Sequence, residues 1–494
     1  MKRQLAVRRS TGLRGLIMSL LLGALLAVDV AVAGLGTHGL LIGLIILVLL
    51  VPMGLRYVGR RIDLFEPLVL ANIALGMMFV GRPLADLATH ETMHIGYPVT
   101  LTFDKALTVA LTGIVAFQIG YHSRFPRRWA RKLPAPPAFR PRRASLAAWA
   151  FFILGTFLFG MFLVTGGGLG LLKTLLRGRS GLDNGIYLNS TGYLYNGPLL
   201  WGASALIFFA LAVASKRKVN YLWFTAVIIP FVALYGASGT RSNLLPLALA
   251  IPTFWYLWKR RRPSGLTLVI VALVGISLLG GLRETRTADT VARENAGSVL
   301  INTLSSPALQ FGEILTGADD EMFDSITNEL LVVPGQTGYR PGGTMADLLI
   351  RAVPRPLWPN KPLETNDLIV TTLWPVHYSQ SRASAAFSVM GPFYLDSSYL
   401  GVALGMFLIG LVLALSWRWY LIHKANLNAT LVYSMSLPFI VILMRGTIPD
   451  TLARMLFAVF PLVLLMWSAK LGRRAHVRAR TKLQIIPGRA LQSE

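Results

Sequence analysis

The residues best able to do chemistry in this sequence are arginines set between apolar runs. Arg241 stands in YGASGTRSNLLPLAL, Arg283 and Arg286 in GLRETRTADT, and Arg445 and Arg454 in LMRGTIPDTLARM. Arg340, Arg351, Arg355, Lys361 and Arg382 lie between residues 283 and 397. A guanidinium offers a rigid fork of donors that matches phosphate oxygens in pairs, and it stays charged in any environment. Several of these residues stand at the ends of apolar runs, so folding could gather them, and at least two are expected to converge on one anion. Each could instead snorkel to a membrane surface or pair with a nearby acid. Glu313, His377 and Asp396 are the candidates for a general base beside them.

A second pattern is His90-Glu91-Thr92-Met93-His94 in ATHETMHIG, formally H-E-x-x-H. On a helix it would set two histidines on one face for zinc, with the glutamate as base. Gly96 and Pro98 would break such a helix at once, and Asp104 is a poor third ligand. A polar surface loop is the expected reading, with a membrane zinc peptidase as the rival.

These residues must be positioned by membrane helices. The chain has 494 residues, 54% hydrophobic and only 14% charged, with a mean hydropathy of +0.57. Soluble domains carry about a quarter charged residues. The expected fold is an all-α polytopic membrane protein with twelve spans, at about 14–33, 39–55, 67–82, 105–121, 145–165, 196–214, 221–237, 243–258, 264–282, 398–417, 428–446 and 452–469. Each is long enough to cross roughly 30 Å of hydrocarbon as a helix. The first span is read as a retained helix rather than a cleaved signal. Cysteine is absent, which excludes disulfides, thiol catalysis and Cys-ligated metals.

With both termini placed in the cytoplasm, 32 of the 48 lysines and arginines fall in cytoplasmic segments. That asymmetry is the positive-inside pattern and fixes the expected orientation. The net charge of +26 therefore reflects topology and contact with anionic lipid, and no nucleic-acid partner is expected. The Pro/Arg-rich 122–145 stretch reads as a charge anchor. Residues 1–282 form a nine-helix region, 283–397 a large external segment, and 398–494 three spans and a basic tail. The external segment carries helical patterns at about 298–316 and 319–333. It is too long and too apolar for a plain linker and is expected to cover the bundle as a lid. External arginines have no topological use, which makes them the informative ones.

Three stretches carry a resemblance. YGASGTRSNLLPLAL resembles the Gly–Ser/Thr–Arg hairpin of Wzy-like O-antigen polymerases, which join oligosaccharide repeat units. LIRAVPRPLWPNKP (349–362) is similar to that family's external Pro-Arg…Pro-x-Lys-Pro segment. FSVMGPFYLDSSYLGVALGMFLIGL resembles the element leading into the next span, where the family often has Gly-Glu before an aromatic. Here the pair is Gly391-Pro392, so the implied carboxylate is missing, and Asp396 is displaced from it. The resemblance implies a metal-independent, GT-C-like glycosyltransferase, without cofactor, at the outer side of a bacterial cytoplasmic membrane. Its donor would be a polyprenyl-diphosphate-linked oligosaccharide. The implied diphosphate grip is Arg241 with Arg283, Arg286, Arg355 or Arg445, acting where leaving-group charge develops. Tyr339, Arg340, Trp358, Lys361, Trp374, Tyr378 and Arg382 are candidate glycan contacts. Membrane lipids, a chain-length regulator and other glycan-export proteins are the implied partners. A ligase using the same donor remains open. A flippase is the non-enzymatic alternative, but it would place charge at mid-membrane depth, where only Asp29 clearly stands.

Overall fold

A computed structural model of the chain describes residues 36–58, 63–176, 194–238, 240–264, 267, 321–353, 358, 360–376 and 387–467. Among them the protein is built from helices, with a single two-stranded hairpin. Among the described residues eight helices are long and apolar enough to cross a membrane, or nine if the bent pair Ile448–Ala458 and Phe460–Trp467 is one span. In chain order the helices are α1 (Gly36–Val58), α2 (Pro67–Thr89), α3 (Phe103–His122), α4 (Phe125–Lys132), α5 (Pro141–Gly166), α6 (Leu169–Leu176), α7 (Leu199–Ser215), α8 (Lys218–Ala237) and α9 (Arg241–Lys259). There follow α10 (Met322–Val332), α11 (Gly343–Ala352), α12 (Thr365–Leu373), α13 (Met390–His423), α14 (Leu427–Met444) and α15 (Ile448–Ala458).

Ten of the twelve expected spans coincide with these helices, while 14–33 and nearly all of 264–282 lie outside the described residues. Two of the ten are not among those eight: α9, which opens on Arg241 and carries Pro246 and Pro252, and α15, which meets Phe460–Trp467 at a bend of 48°. Interior prolines also stand in α1 (Pro52) and α8 (Pro230). α2 continues past the expected end at 82, through a π-helical turn at Met77–Gly81, to Thr89. That extension draws Arg82 and Asp86 into a membrane helix.

The helices alternate between two ends. At the basic end, Tyr121 donates to Glu66 Oε1 at 2.8 Å, Arg56 pairs with Glu66, and Arg262 pairs with Asp63 at 3.1 Å. Arg124, Arg127, Arg128, Arg131 and Lys132 crowd along α4. The opposite end, called the loop end here, holds the hairpin, α10–α12 and the turn between α14 and α15.

Two hydrophobic cores are formed. One gathers α1, α2, α3, α10, α12 and α13, and the other α5 to α9 with α15. α14 serves both: Tyr433, Leu437, Ile440 and Met444 face the first, and Leu427, Leu431, Met435 and Phe439 the second. That division is the 3.6-residue period read on two sides of one helix. Leu400, Leu404, Leu408 and Val412 of α13 are exposed at four-residue spacing, an outward apolar stripe suited to lipid tails. α3 and α13 touch through backbone: a Cβ added at Gly120 would lie 2.1 Å from Phe407 O, and one at Gly410 2.3 Å from Phe117 O. Small residues permit such close crossings in membranes.

α13 is broken at Ser397 and Ser398, whose φ/ψ are −162°/42° and 55°/−143°. Residues 390–396 therefore fold back along the start of the long helix, with Phe393 O close against Gly401. The expected boundary at 397/398 falls at this break. α10 coincides with the pattern at 319–333; the one at 298–316 lies outside the described residues. The segment between residues 283 and 397 contributes to the core. Met322 through Leu330 of α10 are all buried, packed among α2, α3, α12 and α13.

Candidate functional site

Among the described residues, the ionisable side chains at the loop end include the following three groups. The first surrounds Arg82, which is only 2% exposed. Its Nε and Nη2 reach Asp324 Oδ2 at 2.9 and 2.7 Å, its Nε meets Asp86 Oδ1 at 2.9 Å, and its Nη2 meets Glu91 Oε2 at 3.1 Å. One guanidinium thus serves three carboxylates and ties α2 to α10.

His94 completes this group from the hairpin β1 (Met93–His94) and β2 (Tyr97–Pro98). Ile95 and Gly96 turn it with φ of 45° and 83°, the left-handed pair that two-residue hairpins favour. His94 Nδ1 lies 3.6 Å from Asp324 Oδ2, and its carbonyl accepts from Asn328 Nδ2 at 3.1 Å. Burial pushes the imidazole pKa down; Asp324 opposes this and Arg82 adds to it. The expected surface loop is therefore corrected in part. His90 is exposed where it ends α2 in a left-handed conformation, and Glu91 is exposed too, although it reaches Arg82; only His94 is buried, against Asp324. The two histidines share no helix face, and among the described residues no three His, Asp or Glu side chains are grouped to hold a metal.

The second group centres on Glu329 in the middle of α10. It is 0% exposed, and among the described residues neither carboxyl oxygen has a hydrogen-bond partner. An added Cβ at Gly391 would come within 2.5 Å of its Oε2. Burial alone pushes its pKa up to about 8, since a carboxylate without partners is costly to bury.

The third group lies where α11 meets α15. Arg351 Nη1 pairs with Glu364 at 3.2 Å and its Nη2 with Asp450 at 3.1 Å. Arg454 Nη2 takes the other Asp450 oxygen at 3.0 Å, and its Nη1 is buried with no partner among the described residues. Two arginines from segments far apart in sequence therefore share one carboxylate. Desolvation raises the pKa of Glu364, opposed by Arg351.

The remaining expected residues are distributed as follows. Arg241 opens α9. Arg445 is exposed just after α14. Arg340 Nη1 donates to Leu363 O at 3.0 Å and pairs with Asp347 at 3.5 Å. Asp396 accepts from Thr344 N at 2.9 Å, capping α11 from across the chain; in this arrangement it holds structure. Trp374 Nε1 donates to Ile95 O at 2.9 Å and Lys361 Nζ to Val353 O at 3.4 Å, while Trp358 and Tyr339 are exposed. Arg283, Arg286, Glu313, Arg355, His377, Tyr378 and Arg382 lie outside the described residues. Sequence reading passed over Arg82, Asp86, Asp324 and Glu329. The i, i+4 spacing of Arg82 and Asp86 on a helix running past its expected end was the available signal.

Comparison with protein-family models, with curated proteins and with solved structures finds no match to the chain.

Proposed function

We propose that the protein is a membrane-embedded glycosyltransferase that polymerises oligosaccharides carried on a polyprenyl diphosphate, working at the outer surface of a bacterial cytoplasmic membrane. The observation that supports this best is the meeting of Arg351 and Arg454 at Asp450. It concentrates guanidinium donors at the loop end, as a departing diphosphate requires. In the resting arrangement Asp450 and Glu364 orient the two forks. An arriving diphosphate would exchange with these carboxylates, and Arg454 Nη1 has a donor still to give. Arg241 and Arg445 stand at helix ends from which they could join that grip. Negative charge gathers on the leaving group while an acceptor hydroxyl attacks the anomeric carbon.

A ligase would use the same donor grip, so the product decides between the two. The lipid-linked glycans of a deletion strain make the test. Single repeat units accumulating on lipid, with long chains lost, are the expected result. Intact long chains accumulating on lipid would mean ligation, and unchanged glycans in every fraction would remove both readings.

A further inference from the structure

At the basic end of the molecule, opposite the three ionisable groups, α4 packs against α13. Its residues divide into three faces. Pro126 and Ala130, one turn apart, are buried and form the packed face. Phe125 and Trp129, also one turn apart, are 54% and 48% exposed, and Leu133 follows them at 40%. The rings of Phe125 and Trp129 stand 6.3 Å apart and cover one patch. The remaining side carries Arg127, Arg128, Arg131 and Lys132, all exposed, with Arg124 exposed just before the helix. Residues four apart share a helix face, which separates the three sectors. A helix wholly in water gains nothing by exposing Phe, Trp and Leu beside a row of cations. A helix lying in a membrane interface requires that division: the apolar side chains enter the acyl boundary while the arginines stay among the headgroups.

The helix is also fixed in place. The chain between α4 and α5 reads LPAPPAFR, and its prolines carry carbonyls but no N–H to pair among themselves. Neighbouring helices take up those carbonyls. Trp419 Nε1 donates to Pro134 O at 3.4 Å, and Asn426 Nδ2 to Pro136 O and Pro137 O at 3.0 Å each. Asn428 Nδ2 donates to Pro137 O at 3.0 Å. α13 and α14 therefore clasp the segment that follows α4, and the helix cannot swing away from the bundle.

The cations have no acidic partner in the protein. No Asp or Glu occurs between residues 122 and 145. Among the described residues no carboxylate forms an ion pair with Arg124, Arg127, Arg128, Arg131 or Lys132. A solvated charge anchor would need neither the apolar stripe nor the clasp.

We propose that α4 is a docking surface for anionic phospholipid such as phosphatidylglycerol. Phe125, Trp129 and Leu133 enter the leaflet beside α13, and the arginine face holds lipid phosphates. The charge complementarity selects an anionic headgroup, and the apolar stripe selects one that carries acyl chains. The clasp holds both faces at one depth, so the surface is formed before lipid arrives. The surface lies apart from the loop end and does not depend on the polymerase reading.

The chain has no cysteine, so single cysteines can carry a spin label without background. Leu133→Cys and Arg128→Cys are made in the full chain and reconstituted in phosphatidylcholine–phosphatidylglycerol vesicles. Dissolved oxygen should reach the label at 133 and a water-soluble nickel chelate the label at 128. Equal chelate access at both positions overturns the interfacial placement. Native mass spectrometry of the full chain in detergent, titrated with either lipid, reads the headgroup preference. Phosphatidylglycerol should bind more tightly than phosphatidylcholine. Arg127→Gln and Arg131→Gln should each weaken it about fivefold, the weight of one cation near an anionic surface, and leave phosphatidylcholine unchanged. Unchanged phosphatidylglycerol affinity in the double variant assigns the lipid to another surface and overturns the proposal. Equal affinity of the wild-type protein for the two lipids overturns it even where the variants fail to fold. Full competition by glycerol phosphate, an anion without acyl chains, overturns it as well, because the apolar stripe would then have no part.

Discussion

The carboxyl of Glu329 lies directly against the α-carbon of Gly391, so close that a methyl group there would stand 2.5 Å from Oε2. Gly391→Ala must therefore push a fully buried carboxyl aside. The expected loss is about 1–3 kcal/mol of stability, the usual range for overpacking a closed core. Thermal unfolding in detergent checks it. Gly236→Ala serves as control, because nothing lies within 4 Å of a Cβ added there.

Glu329 also makes stability fall with pH. The folded protein holds the proton up to about pH 8, whereas the unfolded chain releases it near the ordinary 4.5. Its share of stability is complete below 4.5 and drains away as pH climbs toward 8, at about 1.4 kcal/mol per unit. Glu329→Gln should flatten that decline. Unfolding midpoints of both proteins between pH 5 and 9 give the comparison, and parallel curves would contradict it.

Arg82 balances Asp86, Glu91 and Asp324 inside the bundle. Removing the guanidinium strands the buried Asp86 and Asp324, while Glu91 is 38% exposed and turns to water, so Arg82→Met should cost about 3–5 kcal/mol. Adding Asp324→Leu should recover part of the loss, because the two changes act on one network. Arg82→Lys should not rescue, since a single ammonium cannot replace the separate Nε and Nη2 contacts.

At the junction of α11 and α15 the prediction concerns activity. Arg454→Lys keeps the charge and loses the fork. It should cut polymer yield at least about tenfold, or about 1.4 kcal/mol of transition-state stabilisation, at normal protein level. Full tolerance of Lys would assign Arg454 to anchoring.

The helices were legible because an apolar run of membrane length has one stable outcome. Ten spans overlap described helices, although α2 runs on to Thr89 and α13 begins at Met390; α10, outside the spans, follows in outline the pattern at 319–333. The junction of Arg351 and Arg454 was legible only as an expectation that external arginines converge. Glu329 and Asp324 were not. MFDSITNELLV reads as an ordinary amphipathic surface helix, and only the packing of α2, α3 and α13 around it shows that its polar side is enclosed. HETMH reads as a polar surface loop because Gly96 and Pro98 break a helix there, and the hairpin at Ile95–Gly96 agrees with that. What the spacing did not tell is that His94 is buried against Asp324 while His90 stays exposed.

The glycine contact between α3 and α13 has a mechanical consequence. Where Gly120 meets Phe407 and Gly410 meets Phe117, main chain bears on main chain, with no side chains between them to change rotamer. The two helices form a single strut. Displacement at the loop end has to be absorbed at Ser397–Ser398, which places the joint of the molecule directly beside Tyr394 and Tyr399.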